Sequence, residues 1–263
     1  MGYHKRIDSE KLNAMKTRFD SNLVYQEHVA RYNFVKKFVR GKIVLDLGCG
    51  IGDGTYELSK YAKKLVGVEL DRARLKCAFD NFIKTNISYL AMDGCFLAFA
   101  DNIFDVVVSL EVIEHLEKQD KFLSEIMRIL NDGGIAIIST PNKEIVRAEG
   151  TRPSSSHIKE LTFKEFKVIL NKHFSAIELF GQKRGRRIKG ISGFAHYVIR
   201  FIDVFNMRKF FSQSLRNNLF DWIAKSTGAK DTNAITTQDL IISRKKLAYA
   251  RNIIAVCEKR KIK

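Results

Sequence analysis

Apolar residues along this chain follow two rhythms. Leu23, Val24, Val29, Phe34, Val35 and Phe38 recur at helical spacing, so residues 23–39 are predicted to form an amphipathic helix that Gly41 stops. Straight after it, Ile43, Val44 and Leu45 make a short unbroken apolar run, as expected of a strand buried on both faces of a parallel sheet. Runs of the same kind return in KLVGVEL, ISYLAMD, FDVVVSL and GIAIIST, with helices predicted over 54–63, 71–83 and 119–130 among them. Alternating β-rich runs and helices predict an α/β protein with a Rossmann-like doubly wound sheet.

Past Pro141 the rhythm loosens. LTFKEFKVILNKHF reads as a helix, with Thr162 as N-cap and Glu165 completing a capping box. SAIELFG and ARNIIAVCEK are predicted as the sixth and last strands, giving a seven-stranded sheet. Between them, residues 182–239 show no strand rhythm. The expected organisation is an N-terminal helical extension over 1–40, a core over 41–181, a basic helical insertion over 182–239, and a closing strand within 240–263.

Composition narrows the class. With 45% hydrophobic and 29% charged residues, wholesale disorder and a collagen-like fibre are excluded. Cys49, Cys77, Cys95 and Cys257 have no CxxC spacing, which argues against a zinc ribbon and a disulfide framework. No apolar run is long enough to span a bilayer and the first residues do not resemble a signal peptide, so a cytoplasmic protein is expected. The net charge of +17 is unevenly placed. Residues 41–181 hold 18 basic and 20 acidic side chains, whereas residues 182–217 hold nine basic and one acidic.

The sharpest signal is DLGCGIGDG, directly between the first strand and a helix. Glycines are needed where the backbone turns hard and a ligand approaches main-chain atoms. The spacing is neither G-x-G-x-x-G nor a P-loop. Asp46 before the glycines suits a cationic amine better than a pyrophosphate. Glu69 ends the second strand, where a carboxylate can accept two ribose hydroxyls, and Asp93 ends the third. An amine, a ribose diol and a base amine together describe S-adenosylmethionine.

From Lys42 to Asn142 the chain resembles the class I S-adenosylmethionine-dependent methyltransferases. VLDLGCGIG, VGVELD, AMDG, FDVVVSLEVIEHL and LNDGGIAIISTPN carry the likeness, in order. The resemblance implies that Asp46 and the backbone of Gly48, Gly50 and Gly52 hold the methionine end. It further implies that Glu69 binds the ribose, Asp93 faces the adenine, and the main chain near Leu110 lines the cofactor.

After the fourth strand comes Glu111-Val-Ile-Glu114-His115. On a helix, positions i, i+3 and i+4 share a face, so the three side chains are expected to converge. Two carboxylates and an imidazole suit magnesium, manganese or iron. The E-x-x-E-H pattern is similar to that of the ubiquinone-pathway O-methyltransferases and the small-RNA 3′-end 2′-O-methyltransferases. By likeness to the latter, His157 is a fourth candidate metal ligand. Two other readings share these residues: His115, with Glu114, acting on the acceptor side as acid or base, and a purely structural helix pair. The acceptor-side role of His115 is preferred.

The basic stretch from Lys183 to Arg216 carries an apolar stripe of Ile191, Phe194, Val198, Phe201, Ile202 and Phe205. It suits a lid over the substrate, a peripheral contact with an anionic membrane, or, with no RNA-binding motif beside it, an RNA. The expected reaction is O-methylation of a hydroxyl on a small-molecule, sugar or lipid-linked glycan acceptor. RNA 2′-O-methylation is the second reading, and a non-catalytic protein retaining the fold is the third.

Overall fold

The computed structural model describes residues 22–149, 156–185 and 236–259. Helix α1 (Asn22–Val35) precedes strand β1 (Ile43–Leu47), and α2 (Asp53–Ser59) leads to β2 (Lys64–Glu69). Helix α3 (Arg72–Asn81) then leads to β3 (Ile87–Ala91), followed by β4 (Phe104–Leu110). After a 3-10 turn (Ile113–His115) come α4 (Gln119–Ile129), β5 (Leu130–Pro141), the short α5 (Lys143–Ala148) and α6 (Phe163–His173). Strands β6 (Ala176–Arg184), β7 (Leu240–Ser243) and β8 (Asn252–Glu258) complete the order.

The strands lie in the sequence β3-β2-β1-β4-β5-β8-β6-β7. The first five pair in parallel, and β8 runs antiparallel between β5 and β6. Among the described residues the sheet has eight strands rather than the expected seven, the addition being the four-residue β7 at the edge. Its sequence, LIIS, is too short to show a period.

Side chains alternate across the sheet and divide the core in two. Leu45, Leu47 and Val107 pack with Phe122, Leu123 and Ile126 of α4 and with Phe166 and Leu170 of α6. Val44, Val106 and Val108 face the other way, against Tyr32 and Val35 of α1 and Leu58 of α2. Burial on both faces is why β4 reads as a continuous apolar run. The Thr162 capping box that opens α6 is formed, and every long strand falls on its sequence run.

The chain divides into two compact units, Arg31–Gln182 with Ile242–Lys263, and Met1–Ala30 with Lys183–Ile241. In the second, Leu23, Ala30 and Leu240 pack together, and Arg184 pairs with Glu27 at 2.8 Å. The interior of the expected insertion, residues 186–235, lies outside the described residues, and with it the 191–205 stripe.

Candidate active site

The parallel strands bring the predicted cofactor residues to one edge of the sheet. Asp46 follows the inward alternation of β1 and is buried; its carboxylate accepts from the Thr55 hydroxyl at 2.6 Å and the Tyr32 hydroxyl at 3.1 and 3.2 Å. Burial, then the Asp46 charge, holds the Tyr32 phenol well above its ordinary pKa, so it stays a donor. The loop beyond turns through three left-handed glycines, Gly48, Gly50 and Gly52. At Gly48 (φ 83°) a Cβ would come within 2.3 Å of Val112, whereas at Gly50 (φ 59°) it would meet nothing within 4 Å. The first glycine permits close packing, and the second leaves open ground before the loop.

Glu69, at the end of β2, joins this loop to its own turn. One carboxylate oxygen accepts the Gly50 N–H at 3.0 Å and the other accepts the Asp71 N–H at 3.0 Å. Each oxygen keeps a second lone pair, as two ribose hydroxyls would require. Asp93 sits beyond β3 and accepts the Cys95 N–H at 2.8 Å, and Leu110 ends β4 buried. Cys49, within the loop, has its thiol pushed up by burial and by the charges of Asp46 and Glu69, which removes it as a nucleophile.

The expected helix over Glu111–His115 is not formed. Glu111 takes a left-handed backbone (φ 58°), its N–H donating to the Ser139 carbonyl and hydroxyl at 3.1 Å each, and only residues 113–115 make a 3-10 turn. A left-handed residue ends any i→i+4 ladder, and for a non-glycine it costs about 1–2 kcal/mol. Both Glu111 carboxylate oxygens are engaged, by the Ser139 hydroxyl at 2.8 Å and the Asn252 amide at 2.6 Å. Glu111 is not part of the cluster that the other predicted metal ligands form among the described residues.

Those others do come together. Oxygen or nitrogen atoms of Glu114, His115 and His157 lie within 4.8 Å of one another. Glu114 is fully buried; Thr140 donates to one carboxylate oxygen at 3.2 Å, and the other has no partner among the described residues. Burial first, then the Glu111 charge, raises its pKa well above the usual range, with Arg31 opposing. The Glu114 carbonyl accepts the N–H groups of Ile158 and Lys159 at 3.0 Å, and the Gln119 amide bridges the carbonyls of Ile113 and Lys159. These bonds carry His157 to His115, their rings 4.9 Å apart and edge to face. His115 Nδ1 meets the Ser156 carbonyl at 2.8 Å and His157 Nδ1 meets a Glu160 carboxylate oxygen at 2.9 Å. Both partners can only accept, so in each neutral ring Nδ1 holds the proton and Nε2 offers a lone pair.

Sequence reasoning missed Tyr32, Thr55, Ser139, Asn252, Gln182 and Arg31. Ser139 and Asn252 carried one usable signal, each being a polar residue beside an unbroken apolar run of its strand; all of the last four are buried.

A family model described as a methyltransferase domain matches residues 45–138, the span from β1 into β5. Among curated proteins, a probable S-adenosylmethionine-dependent methyltransferase of Mycolicibacterium smegmatis is 30% identical over 57% of this chain and 58% of its own length. The mitochondrial ubiquinone biosynthesis O-methyltransferase of Dictyostelium discoideum is 32% identical over 51% of this chain and 46% of its own. The chain thus spans about half the length of these relatives. The solved structure of a methyltransferase from Thermotoga maritima shares the fold with a TM-score of 0.62, at 13% identity over 95% of this chain and 96% of that one.

Proposed function

We propose, for a chain whose residues 45–138 are a class I S-adenosylmethionine-dependent methyltransferase domain, that the whole protein O-methylates a hydroxyl of a small-molecule, sugar or lipid-linked acceptor. The observation that carries this is that His115, its Nδ1 held by the Ser156 carbonyl, stands with His157 beside the buried Glu114 just past β4. In-line displacement would form the acceptor O–CH3 bond as the S–CH3 bond breaks. S-adenosylhomocysteine leaves, and the hydroxyl proton passes to His115 Nε2. Loops after β1, β2 and β3 hold the donor, and the turn after β4 faces the acceptor. The name of the Dictyostelium relative, an O-methyltransferase, supports a hydroxyl acceptor.

The same three residues fit a divalent ion. Glu114 has a buried oxygen in need of a partner, and both imidazoles donate their far N–H to a carbonyl or carboxylate, as metal-bound histidines usually do. Glu114, His115 and His157 would hold the ion, without Glu111; two imidazoles and one carboxylate favour manganese or iron over magnesium. Bound there, it would supply Lewis acidity that lowers the pKa of an acceptor hydroxyl.

Labelled S-adenosylmethionine offered with a panel of phenols, sugars and lipid-linked glycans tests the reading. Turnover that falls about 100-fold in H115A is expected, and activity confined to amine acceptors would overturn the hydroxyl assignment. Loss with EDTA and recovery with manganese would favour the ion; full turnover in EDTA would leave His115 as the base.

A further inference from the structure

Glu160 is a buried carboxylate that touches only two other side chains among the described residues. Its side chain is 7% exposed, whereas its neighbours Ile158 and Lys159 face solvent. One oxygen meets His157 Nδ1 at 2.9 Å. The other has no hydrogen bond among the described residues and lies 3.6 Å from Arg147 Nη2 on α5. Taking a carboxylate out of water costs more than one imidazole and one long ion pair return, so stability alone does not account for it.

The segment around Glu160 keeps its place without that carboxylate. The N–H groups of Ile158 and Lys159 donate to the Glu114 carbonyl, and the Gln119 amide donates to the Lys159 carbonyl. On the other side the Lys143 N–H donates to the Leu161 carbonyl at 3.0 Å, Leu161 is buried, and Thr162 opens α6 through its capping box. These bonds fix residues 158–162 from both ends. They do not fix the ring of His157. Which nitrogen of a neutral imidazole holds the proton is set by the hydrogen bond the ring itself makes, and here Glu160 makes it.

We propose that Glu160 is a positioning residue for the active site. It holds the His157 proton on Nδ1 and so reserves Nε2 for an ion or an acceptor hydroxyl, while Arg147 balances the charge this requires. A carboxylate behind the far nitrogen orients histidines in metal sites and hydrolytic triads in the same way. His115 is backed by the neutral Ser156 carbonyl instead, so the two rings of the cluster are held by unlike acceptors. The consequence for turnover rests on reading Glu114, His115 and His157 as the acceptor side; the state of the His157 ring does not.

Nitrogen NMR of labelled imidazoles in the full chain, at about pH 9 where neutral rings prevail, reads that state directly. H157Q identifies the His157 signals. The wild type should show His157 protonated on Nδ1. E160M, which keeps the volume and removes the acceptor, should show both tautomers, and E160Q, which retains an oxygen acceptor, should restore the Nδ1–H form. An unprotonated Nδ1 in the wild type, or a ring unchanged in E160M, overturns the proposal. Manganese affinity, measured by calorimetry, should weaken ~10–100-fold in E160M while S-adenosylhomocysteine affinity holds. Equal manganese affinity in the two proteins also overturns it. A wild type that binds no manganese overturns the ion reading instead, and the tautomer comparison then decides for Glu160 alone. A collapse of the melting temperature in E160M would make Glu160 structural and defeat the proposal, since the main-chain bonds should hold the segment without it.

Discussion

Asp46 and Glu69 occupy equivalent positions at the ends of adjacent strands, yet their carboxylates are held by different kinds of donor. Asp46 is fixed by two side-chain hydroxyls from α1 and α2, so removing it strands buried donors in the core. D46A should therefore lose S-adenosylmethionine binding and about 1–3 kcal/mol of stability together, the cost of leaving buried hydroxyls unpaired. Glu69 holds only backbone N–H groups of two partly exposed turns. E69A should lower affinity at least tenfold with a stability change near 0.5 kcal/mol, because water can replace it there. Calorimetry and denaturant unfolding on both variants check the contrast; equal stability losses would contradict it. At Gly48 the left-handed turn and the 2.3 Å approach to Val112 act together, so G48A should destabilise by more than the 1–2 kcal/mol of the backbone alone, measured by urea unfolding.

Elements set the site through a few fixed joints, and α4 provides one that titrates. Glu125 accepts from Arg128 at 2.8 Å, from Lys121 at 3.1 Å and from the Leu97 N–H at 3.0 Å, while Arg128 also bonds the Leu97 and Phe99 carbonyls. These bonds pin the segment between Asp93 and β4. The Arg128 guanidinium, with Lys121 and the Leu97 N–H, draws the Glu125 carboxyl down to about 2. The pKa is lower folded than unfolded, so the stabilisation is complete above about pH 4.3 and is lost as pH falls toward the folded value. E125Q should thus cost about 2 kcal/mol at pH 7 and converge with the wild type near pH 2, read from thermal unfolding across pH. The long strands and α6 could be read from sequence because burial on both faces imposes a run, and a capping box imposes residue types. The turn at Glu111 could not, since its left-handed backbone follows from bonds to Ser139 and Asn252, 28 and 141 residues away. For the same reason Glu114, His115 and His157 were legible as residue types, whereas the exclusion of Glu111 and the buried charge on Arg31 needed the fold.

At the scale of the whole molecule, the sheet-bearing region from 41 to 181 is nearly neutral, and the excess of cations falls outside it. Lys183 and Arg184 end β6, and Arg186, Arg187 and Lys189 follow in the segment before β7. Of these, Arg184 is already paired with Glu27. No helix among the described residues is long and apolar enough to cross a membrane. We propose that this segment meets an anionic bilayer, because a cationic run beside an apolar stripe combines the two attractions such a surface offers. Each basic residue contributes about 1 kcal/mol near anionic lipid, so reversing Arg186, Arg187 and Lys189 to glutamate removes at least ~3 kcal/mol, about two powers of ten in partition. The wild type should co-sediment with phosphatidylglycerol-containing vesicles at low salt and be released as ionic strength approaches ~1 M, where screening acts over about 3 Å. The triple variant should stay in the supernatant at every salt concentration while still binding S-adenosylmethionine. Sedimentation equal for both proteins, or absent for both, would transfer the segment's role from membrane contact to covering the acceptor.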